Sequence, residues 1–242
     1  MKIFLFVIEA IFSYLIAGYI HELGHVVMGL CNGWKFERLV LGPLGFKRDN
    51  EKVKCYFEKN VVLWAGVGGS LPSKNTKDNI HIWSKVLLAG PMSSIIIGVL
   101  ILPLALYTKI LFLILLSFIS IGIGLSCFLP MKTGILYTDG ARYYRLKKGG
   151  REGIEEEALF NLTLLNNSKG DAKEVDYNYI SALIDSKDKT IRYYGYYFAF
   201  EYFKDLQDSK KAKEQILMMK ELESSVPGIV VKDCMKSVGE YI

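Results

Sequence analysis

The sequence predicts a mainly helical membrane protein that carries a second, water-soluble helical domain. Three long apolar runs lie within the first 130 of the 242 residues, and each is long enough to cross a bilayer as a helix. The chain beyond Asp139 is charged and rich in tyrosine, with the periodicity of amphipathic helices. The 51% of hydrophobic residues and the mean hydropathy of +0.23 therefore average two unlike halves.

The three apolar runs define the predicted spans, at about residues 2–31, 81–107 and 109–129. A helix over the first run is about 44 Å long, against a hydrocarbon core of about 30 Å. We therefore expect this helix to tilt or to reach the interface with its C-terminal end. Glu9 interrupts the run and no convincing small-residue cleavage site follows it, which favours a retained helix over a signal peptide.

A β-rich segment, at about residues 36–70, separates the first two spans. The stretches FERLVLGPLGF and KVKCYFEKNVVLWAGVGG have a strand-like pattern with Gly and Pro breakers, which predicts two or three short strands. The run GVGGS predicts a turn or hinge, and it lacks the GK[ST] ending of a phosphate-binding loop. These segments and the spans form a predicted membrane core over residues 1–145.

The predicted C-terminal domain, residues 146–242, shows helical periodicity broken by NNSKGD and SSVPG. Its helices are expected at about 153–167, 174–186, 189–206, 209–224 and 228–241. Their succession resembles a stack of helical hairpins, so the domain is helical-repeat-like. We expect it to bind a protein partner or to gate access to the membrane core.

The basic residues indicate how the chain is oriented. They concentrate in the 31–80 segment and directly after the third span, whereas the opposite side shows only Lys2 and Lys109. The positive-inside rule then puts the N-terminus outside and the C-terminal domain in the cytoplasm, and the Lys- and Ile-rich composition suggests a bacterial cytoplasmic membrane. This orientation accounts for the mild net charge of +5, which does not indicate nucleic-acid binding. The spacing of the four cysteines predicts neither a disulfide framework nor a zinc finger.

The stretch AGYIHELGHVVMG ends the first span and holds two of the three histidines. His21 and His25 are four residues apart, so a helix presents both imidazoles on one face, toward one metal ion. This HExxH spacing is typical of zinc hydrolases, in which the histidines hold the metal and the glutamate, here Glu22, is the general base. Ionisable groups at membrane depth are costly, which favours a functional role over a structural one.

A catalytic zinc site needs a third protein ligand, and the residues leave two candidates. His81, the remaining histidine, lies at the predicted cytoplasmic start of the second span. Asp139 follows the third span, which runs in the same direction as the first, so the chain there returns to the side of HELGH. An exposed aspartate in a turn before a helix is the alternative interpretation of the stretch TDGAR.

HELGH at the end of the first span, AGP in the second and P…DG after the third together resemble the site-2 protease family of intramembrane zinc metalloproteases. The resemblance covers about residues 1–145. It implies that His21, His25 and Asp139 hold one Zn²⁺ per chain and that Glu22 is the catalytic base. It also implies hydrolysis of peptide bonds in membrane-spanning or membrane-associated proteins and peptides.

Two positions depart from the family pattern, both at asparagines that are expected to bind substrate. Ser94 stands where the GPxxN pattern has its asparagine, and Cys127 stands at the asparagine of NxxP. A serine can still hydrogen-bond an extended substrate, whereas a cysteine is a poor partner. We retain Ser94 and Cys127 as candidate substrate-binding residues, with an edge strand from the 31–60 region as the expected pairing partner of the substrate.

Two other functions stay open at this point. One is a non-catalytic membrane scaffold, immunity or sensor protein of the same fold, and the other is a small transporter that uses an intramembrane metal. The intact set of His21, Glu22, His25 and Asp139 favours the peptidase over the scaffold. The lack of an internal repeat argues against the transporter.

Overall fold

The computed structural model describes residues 2–50, 52–72, 76, 78–133, 136–168 and 175–239. The chain forms two compact units. The first comprises Met1–Lys132 with Tyr137–Tyr143, and the second comprises Thr133–Leu136 with Tyr144–Ile242.

Three of the described helices, all in the first unit, are long and apolar enough to cross a membrane. They are α1 Lys2–Cys31, α2 Asp78–Thr108 and α3 Leu111–Phe128. Their most apolar windows have mean hydropathies of 2.2, 2.2 and 2.5. The three predicted spans are therefore confirmed as helices, with ends that differ by a few residues from the expected ones.

Small residues allow α2 and α3 to approach closely. A Cβ atom at Gly98 of α2 would lie 2.9 Å from the carbonyl oxygen of Ser117 on α3, and one at Gly124 of α3 would lie 2.7 Å from the carbonyl oxygen of Pro91 on α2. The Ser117 hydroxyl donates to the Gly98 carbonyl oxygen at 2.8 Å. Helix association in lipid depends on close packing and hydrogen bonds of this kind, because apolar side chains gain little by exchanging lipid for protein.

A four-stranded antiparallel sheet lies between α1 and α2 in the chain. Its strands are β1 Lys35–Leu41, β2 Leu44–Asp49, β3 Lys52–Phe57 and β4 Val67–Leu71, in the order β3-β2-β1-β4. The tight turns between β1 and β2 and between β2 and β3 use positive φ angles, 58° at Gly42 and 56° at Asn50. A 3₁₀ turn over Val61–Ala65 precedes β4. The strand order makes β3 and β4 the two edges of the sheet.

Two expectations for this segment are wrong. The described residues form four strands in this sheet rather than two or three, and most of GVGGS is strand β4 rather than a turn or hinge. Glycine has little preference for strands, so the local sequence predicts a turn. The strand forms through tertiary contacts, because it pairs with β1 and because Gly68 lies so close to α1 that a Cβ atom there would be 2.8 Å from Cβ of Glu22.

The chain after α3 is mostly helical. The two-residue strands β5 Lys132–Thr133 and β6 Leu136–Tyr137 come first, followed by α4 Asp139–Lys148. The later helices are α5 Gly150–Ser168, α6 Tyr177–Ile184, α7 Lys189–Asp205, α8 Ser209–Leu222 and α9 Gly228–Gly239. Helix α4 is not among the helices that the sequence predicts, and the expected helix ends at positions 174 and 241 lie outside the described residues.

The second unit has an apolar core built around α7. Asp188 caps this helix by accepting hydrogen bonds from two backbone N–H groups of its first turn. Tyr193 and Phe200 of α7 are almost fully buried, and they join Met219 of α8 and Val238 of α9 in one apolar cluster. The helices therefore pack through apolar residues at helical spacing, as the amphipathic pattern of the sequence requires.

A buried ion-pair network joins the end of α4 to α5. The Arg145 guanidinium donates to Glu155 at 2.7 Å and to Glu156 at 3.1 Å, and all three side chains are buried. Arg151 lies 3.6 Å from Glu155 and supplies a second positive charge for the two carboxylates. Removing one member of a buried network leaves an uncompensated charge, which is strongly destabilising.

We expect Glu156→Gln to destabilise the packing of α4 and α5 by about 3–5 kcal/mol, because it removes the negative charge of one of the two buried carboxylates that bond to the Arg145 guanidinium. Amide hydrogen exchange over α5, measured in the full chain in detergent, should accelerate accordingly. The matched control is Glu152→Gln, which breaks the half-exposed pair with Lys148 and should cost about 0–1 kcal/mol. Equal effects of the two substitutions would contradict this assignment.

Candidate metal centre

Two imidazoles meet on one face of α1. His21 and His25 are one helical turn apart and both are buried. Their rings stand nearly perpendicular, at 82°, and their Nε2 atoms are 3.3 Å apart. The helix therefore presents two nitrogen donors to one point, as the spacing of HELGH predicts.

The carboxylate of Asp139 reaches the same point from the first residue of α4. Its Oδ2 atom lies 3.2 Å from Nε2 of His21 and 3.4 Å from Nε2 of His25. The Asp139 side chain remains 22% exposed, whereas both imidazoles are less than 10% exposed. The three donor atoms thus form a nearly equilateral triangle that keeps some access to solvent.

The triangle fits a tetrahedral zinc ion. Bonds of about 2.0–2.1 Å to nitrogen and oxygen set the ligand atoms of such an ion about 3.3–3.4 Å apart. The three observed separations, 3.2, 3.3 and 3.4 Å, agree with that edge length. Three protein donors would leave one coordination position free, which is the arrangement of catalytic zinc sites.

Glycine and threonine at the start of α4 bring Asp139 to this position. A Cβ atom at Gly140 would collide with the carbonyl group of Phe128, so glycine allows the start of α4 to touch the end of α3. Thr138 donates its hydroxyl to the Leu129 carbonyl oxygen at 2.6 Å and accepts from the Ala141 N–H group at 3.3 Å. The hydroxyl therefore ties the start of α4 to the end of α3 and caps α4.

The Asp139 carboxyl group is ionised at neutral pH. Burial acts to raise its pKa, but hydrogen bonds and charge from His21 and His25 outweigh burial and hold the pKa well below its usual range. A metal ligand of this type must be deprotonated, so the carboxylate is in the form that binds an ion.

Helix α2 orients both imidazoles through their Nδ1 atoms. The Nδ1–H group of His25 donates to the carbonyl oxygen of Val86 at 2.7 Å. The Nδ1 atom of His21 lies 3.2 Å from Oγ of Ser94. With Nδ1 of each ring hydrogen-bonded to α2, Nε2 is left as the metal-binding atom, which is the usual outer-shell arrangement of metal-binding histidines.

Ser94, a candidate substrate-binding residue from the sequence, is fully buried and contacts His21 directly. Neither this contact nor the hydrogen bond to the Val86 carbonyl oxygen is among the contacts that the sequence predicts. The signal in the sequence that could have predicted the contact is the four-residue spacing of Gly90 and Ser94, which matches that of His21 and His25. Because α1 and α2 run antiparallel, Gly90 of α2 faces His25, and Ser94 faces His21. A Cβ atom at Gly90 would overlap the His25 ring, so this glycine makes room for the imidazole.

Glu22 lies between the donor triangle and β4. A Cβ atom at Gly66 would be 2.6 Å from Oε1 of Glu22, and one at Gly68 would be 2.8 Å from Oε2. The carboxylate also interacts electrostatically with His25, His21 and Asp139. The expected general base is therefore held against a glycine-rich edge strand and near the three donors.

Cys127 lies beside the donor triangle. Its Sγ atom and one ligand atom each of His21 and Asp139 are all within 4.8 Å of one another. The thiol is free and partly exposed. His81, the alternative third ligand, is instead exposed near the start of α2 and is not part of this group.

Three candidate membrane spans and a cluster of two imidazoles and a carboxylate describe an integral membrane protein with a candidate metal centre. The model of peptidase family M50 matches residues 9–233. The chain therefore belongs to peptidase family M50, the site-2 protease family, which implies intramembrane metalloprotease function. No curated protein and no solved structure matches the chain.

We expect Ser94→Ala to raise the dissociation constant for zinc by about 10- to 100-fold, because it removes the hydroxyl that orients His21. Competition with a chelating dye, in detergent-purified protein, measures this constant. Ser93→Ala is the matched control, since the Ser93 hydroxyl bonds to the carbonyl oxygens of Ile20 and Gly90 and to neither histidine. If both variants bound zinc as the unaltered chain does, Ser94 would not orient His21.

Proposed function

We propose that this protein is an intramembrane zinc metalloendopeptidase that cleaves membrane-spanning or membrane-associated proteins and peptides. The observation that carries the proposal is the triangle of His21, His25 and Asp139 donor atoms, with sides of 3.2–3.4 Å. Membership in peptidase family M50 supports the same activity. Each chain would hold one Zn²⁺ through these three residues.

The residues around the centre have separate roles in this proposal. A bound zinc ion would act as a Lewis acid and would lower the pKa of a water molecule at its free position. Glu22 accepts the proton of the attacking water and later passes it to the leaving amine. Ser94 and Val86 keep the imidazoles in the tautomer and orientation in which Nε2 faces Asp139.

The edge strand β4 is the proposed docking site for the substrate. A peptide bond inside a helix is shielded from attack, so the substrate must unwind locally before cleavage. β4 has one free edge and passes directly beside Glu22, and an extended segment added to that edge would pair with it through backbone hydrogen bonds. The sequence pointed to an edge within 31–60, where β3 lies, but β4 is the edge that contacts α1 at Glu22.

Neither Ser94 nor Cys127 is assigned a direct contact with the substrate in this proposal. Ser94 is fully buried behind His21, so its hydroxyl serves the imidazole. Cys127 is partly exposed beside His21 and Asp139, and no step of the proposed reaction is assigned to its thiol.

The proposed orientation has the N-terminus outside and the second unit in the cytoplasm. Basic residues in the 31–80 segment and in α4 support it, among them Arg145, Lys147 and Lys148 in the last turn of α4. The second unit is proposed to bind a protein partner or to regulate substrate access, in a bacterial cytoplasmic membrane.

We expect Glu22→Gln to lower the rate of peptide cleavage by about 10²- to 10⁴-fold, because the amide cannot accept the proton of the attacking water. The assay uses the full chain in proteoliposomes with a panel of single-span peptides, and mass spectrometry identifies the products. Zinc content should be unchanged, since Glu22 is not one of the three proposed ligands.

Glu9→Gln is the matched control, since it makes the same chemical change earlier on α1 and should preserve cleavage. Cleavage that persists in Glu22→Gln would exclude Glu22 as the base. A zinc-loaded chain that cleaves none of the panel would favour the non-catalytic scaffold or sensor of the same fold.

We expect Gly69→Pro in β4 to lower kcat/KM by about tenfold, because proline removes the N–H group with which Gly69 pairs to Arg38 of β1 and thereby displaces the edge of β4 that lies beside Glu22. A Cβ atom at Gly69 meets nothing within 4 Å, so the substitution has room. Val53→Pro on the opposite edge, β3, is the control and should leave kcat/KM unchanged. If Val53→Pro lowered kcat/KM and Gly69→Pro did not, the substrate would dock on β3 instead. Zinc content and thermal unfolding verify that both variants are folded.

A further inference from the structure

Cys127 is the one group of the described metal-centre cluster that the proposed reaction does not use. It occupies the next-to-last position of α3, Leu111–Phe128. Its sulfur lies within 4.8 Å of the ligand atoms of His21 and Asp139. A thiol at this place is chemically significant, because thiolate sulfur is a strong ligand for zinc and similar ions.

The backbone keeps Cys127 and Asp139 beside each other. Phe128, the next residue after Cys127, touches Gly140, the next residue after Asp139, so closely that a Cβ atom on the glycine would collide with the Phe128 carbonyl. The Thr138 hydroxyl bonds to the Leu129 carbonyl oxygen at 2.6 Å and closes the intervening chain. The backbone therefore holds the sulfur of Cys127 close to the Asp139 carboxylate.

We propose that Cys127 is a fourth, displaceable metal ligand that closes the centre when no substrate is bound. This inference rests on the metal centre of the proposed function. His21, His25 and Asp139 would supply two nitrogens and one oxygen, and Cys127 would supply a sulfur. Zinc sites with four protein donors are closed, whereas catalytic sites keep one position for water.

A small movement brings the sulfur into coordination. With bonds of about 2.3 Å to sulfur and about 2.0–2.1 Å to nitrogen or oxygen, tetrahedral ligand atoms are about 3.6 Å apart. Cys127 is one residue from the end of α3, where a rotation about χ1 or a slight shift of the last turn brings its sulfur that much closer. On binding, the thiol releases its proton to solvent and the sulfur takes the position of one water molecule.

The closed form would be inactive, because the attacking water has no place at the ion. A substrate carbonyl or another oxygen donor would displace the sulfur, which then takes up a proton again. The partial exposure of Cys127 allows water and small molecules to reach the thiol. Cys127, which stands where the family pattern has an asparagine, would thus keep the chain inactive until a substrate displaces its sulfur.

Cobalt spectroscopy of the detergent-solubilised full chain tests the proposal. With Co²⁺ in place of zinc and no substrate, the unaltered chain should show the near-ultraviolet charge-transfer band of a thiolate–cobalt bond. Cys127→Ser should lose the band while it still binds one cobalt ion per chain. Cys31→Ser, the same change at an exposed cysteine at the end of α1, should keep the band.

Two further measurements address affinity and displacement. Cd²⁺ prefers sulfur ligands, so its dissociation constant should rise by about 10- to 100-fold or more in Cys127→Ser. The lower figure is the effect on metal affinity of losing an outer-shell group, and the loss of a direct ligand should have at least that effect. Acetohydroxamate, a small chelator with two oxygen donors, should abolish the band in the unaltered chain. A band that persists with saturating acetohydroxamate would overturn the displaceable role of the sulfur.

The outcomes separate this inference from the proposed function. If the unaltered chain and Cys127→Ser bound cobalt with identical spectra, and Asp139→Asn lowered the cobalt content, the metal centre would stand and the cysteine ligand would be wrong. If the unaltered chain bound no cobalt and no zinc, both proposals would fail.

Discussion

The meeting of two imidazoles and one carboxylate inside an apolar helix bundle is the interaction on which the first unit depends. Ionisable groups at membrane depth are unfavourable unless partners surround them. His21, His25 and Asp139 satisfy one another at 3.2–3.4 Å, and the Val86 carbonyl and the Ser94 hydroxyl occupy the remaining imidazole nitrogens. Because a hydrogen bond weakens steeply with distance and angle, these contacts set how α2 and α4 lie against α1.

Glycine occurs at the points where backbone approaches this cluster most closely. Gly24 of α1 leaves room for α2, since a Cβ atom there would be 2.6 Å from the Ala89 carbonyl oxygen. Three other glycines make room for His25, for Glu22 and for the end of α3; they are Gly90, Gly68 and Gly140. Each lies in a different element, so the cluster is built where α1, α2, β4 and α4 come within backbone contact. Any side chain at these positions would push the donor atoms apart.

In the proposed function, the cluster would divide the tasks of a hydrolase among different elements. Helix α1 supplies both histidines and Glu22, α2 holds the rings, α4 supplies the carboxylate, and β4 is an edge strand beside Glu22. Helix α3 brings a thiol to the same place through Cys127. Chemistry, substrate docking and a means of closing the centre would therefore converge within a few ångströms, although they come from residues far apart in the chain.

The sequence by itself determined the three apolar helices and the shared face of His21 and His25, because hydropathy and helical periodicity are local properties. It also indicated that Asp139 returns to the side of HELGH, since three spans alternate in direction. Only the tertiary structure decided that β4 is a strand and that Ser94 faces His21. The partners in these contacts are distant along the chain, 73 residues for Ser94 and His21. Local propensity carries no information about such pairs, because their geometry depends on how closely α1, α2 and the sheet pack.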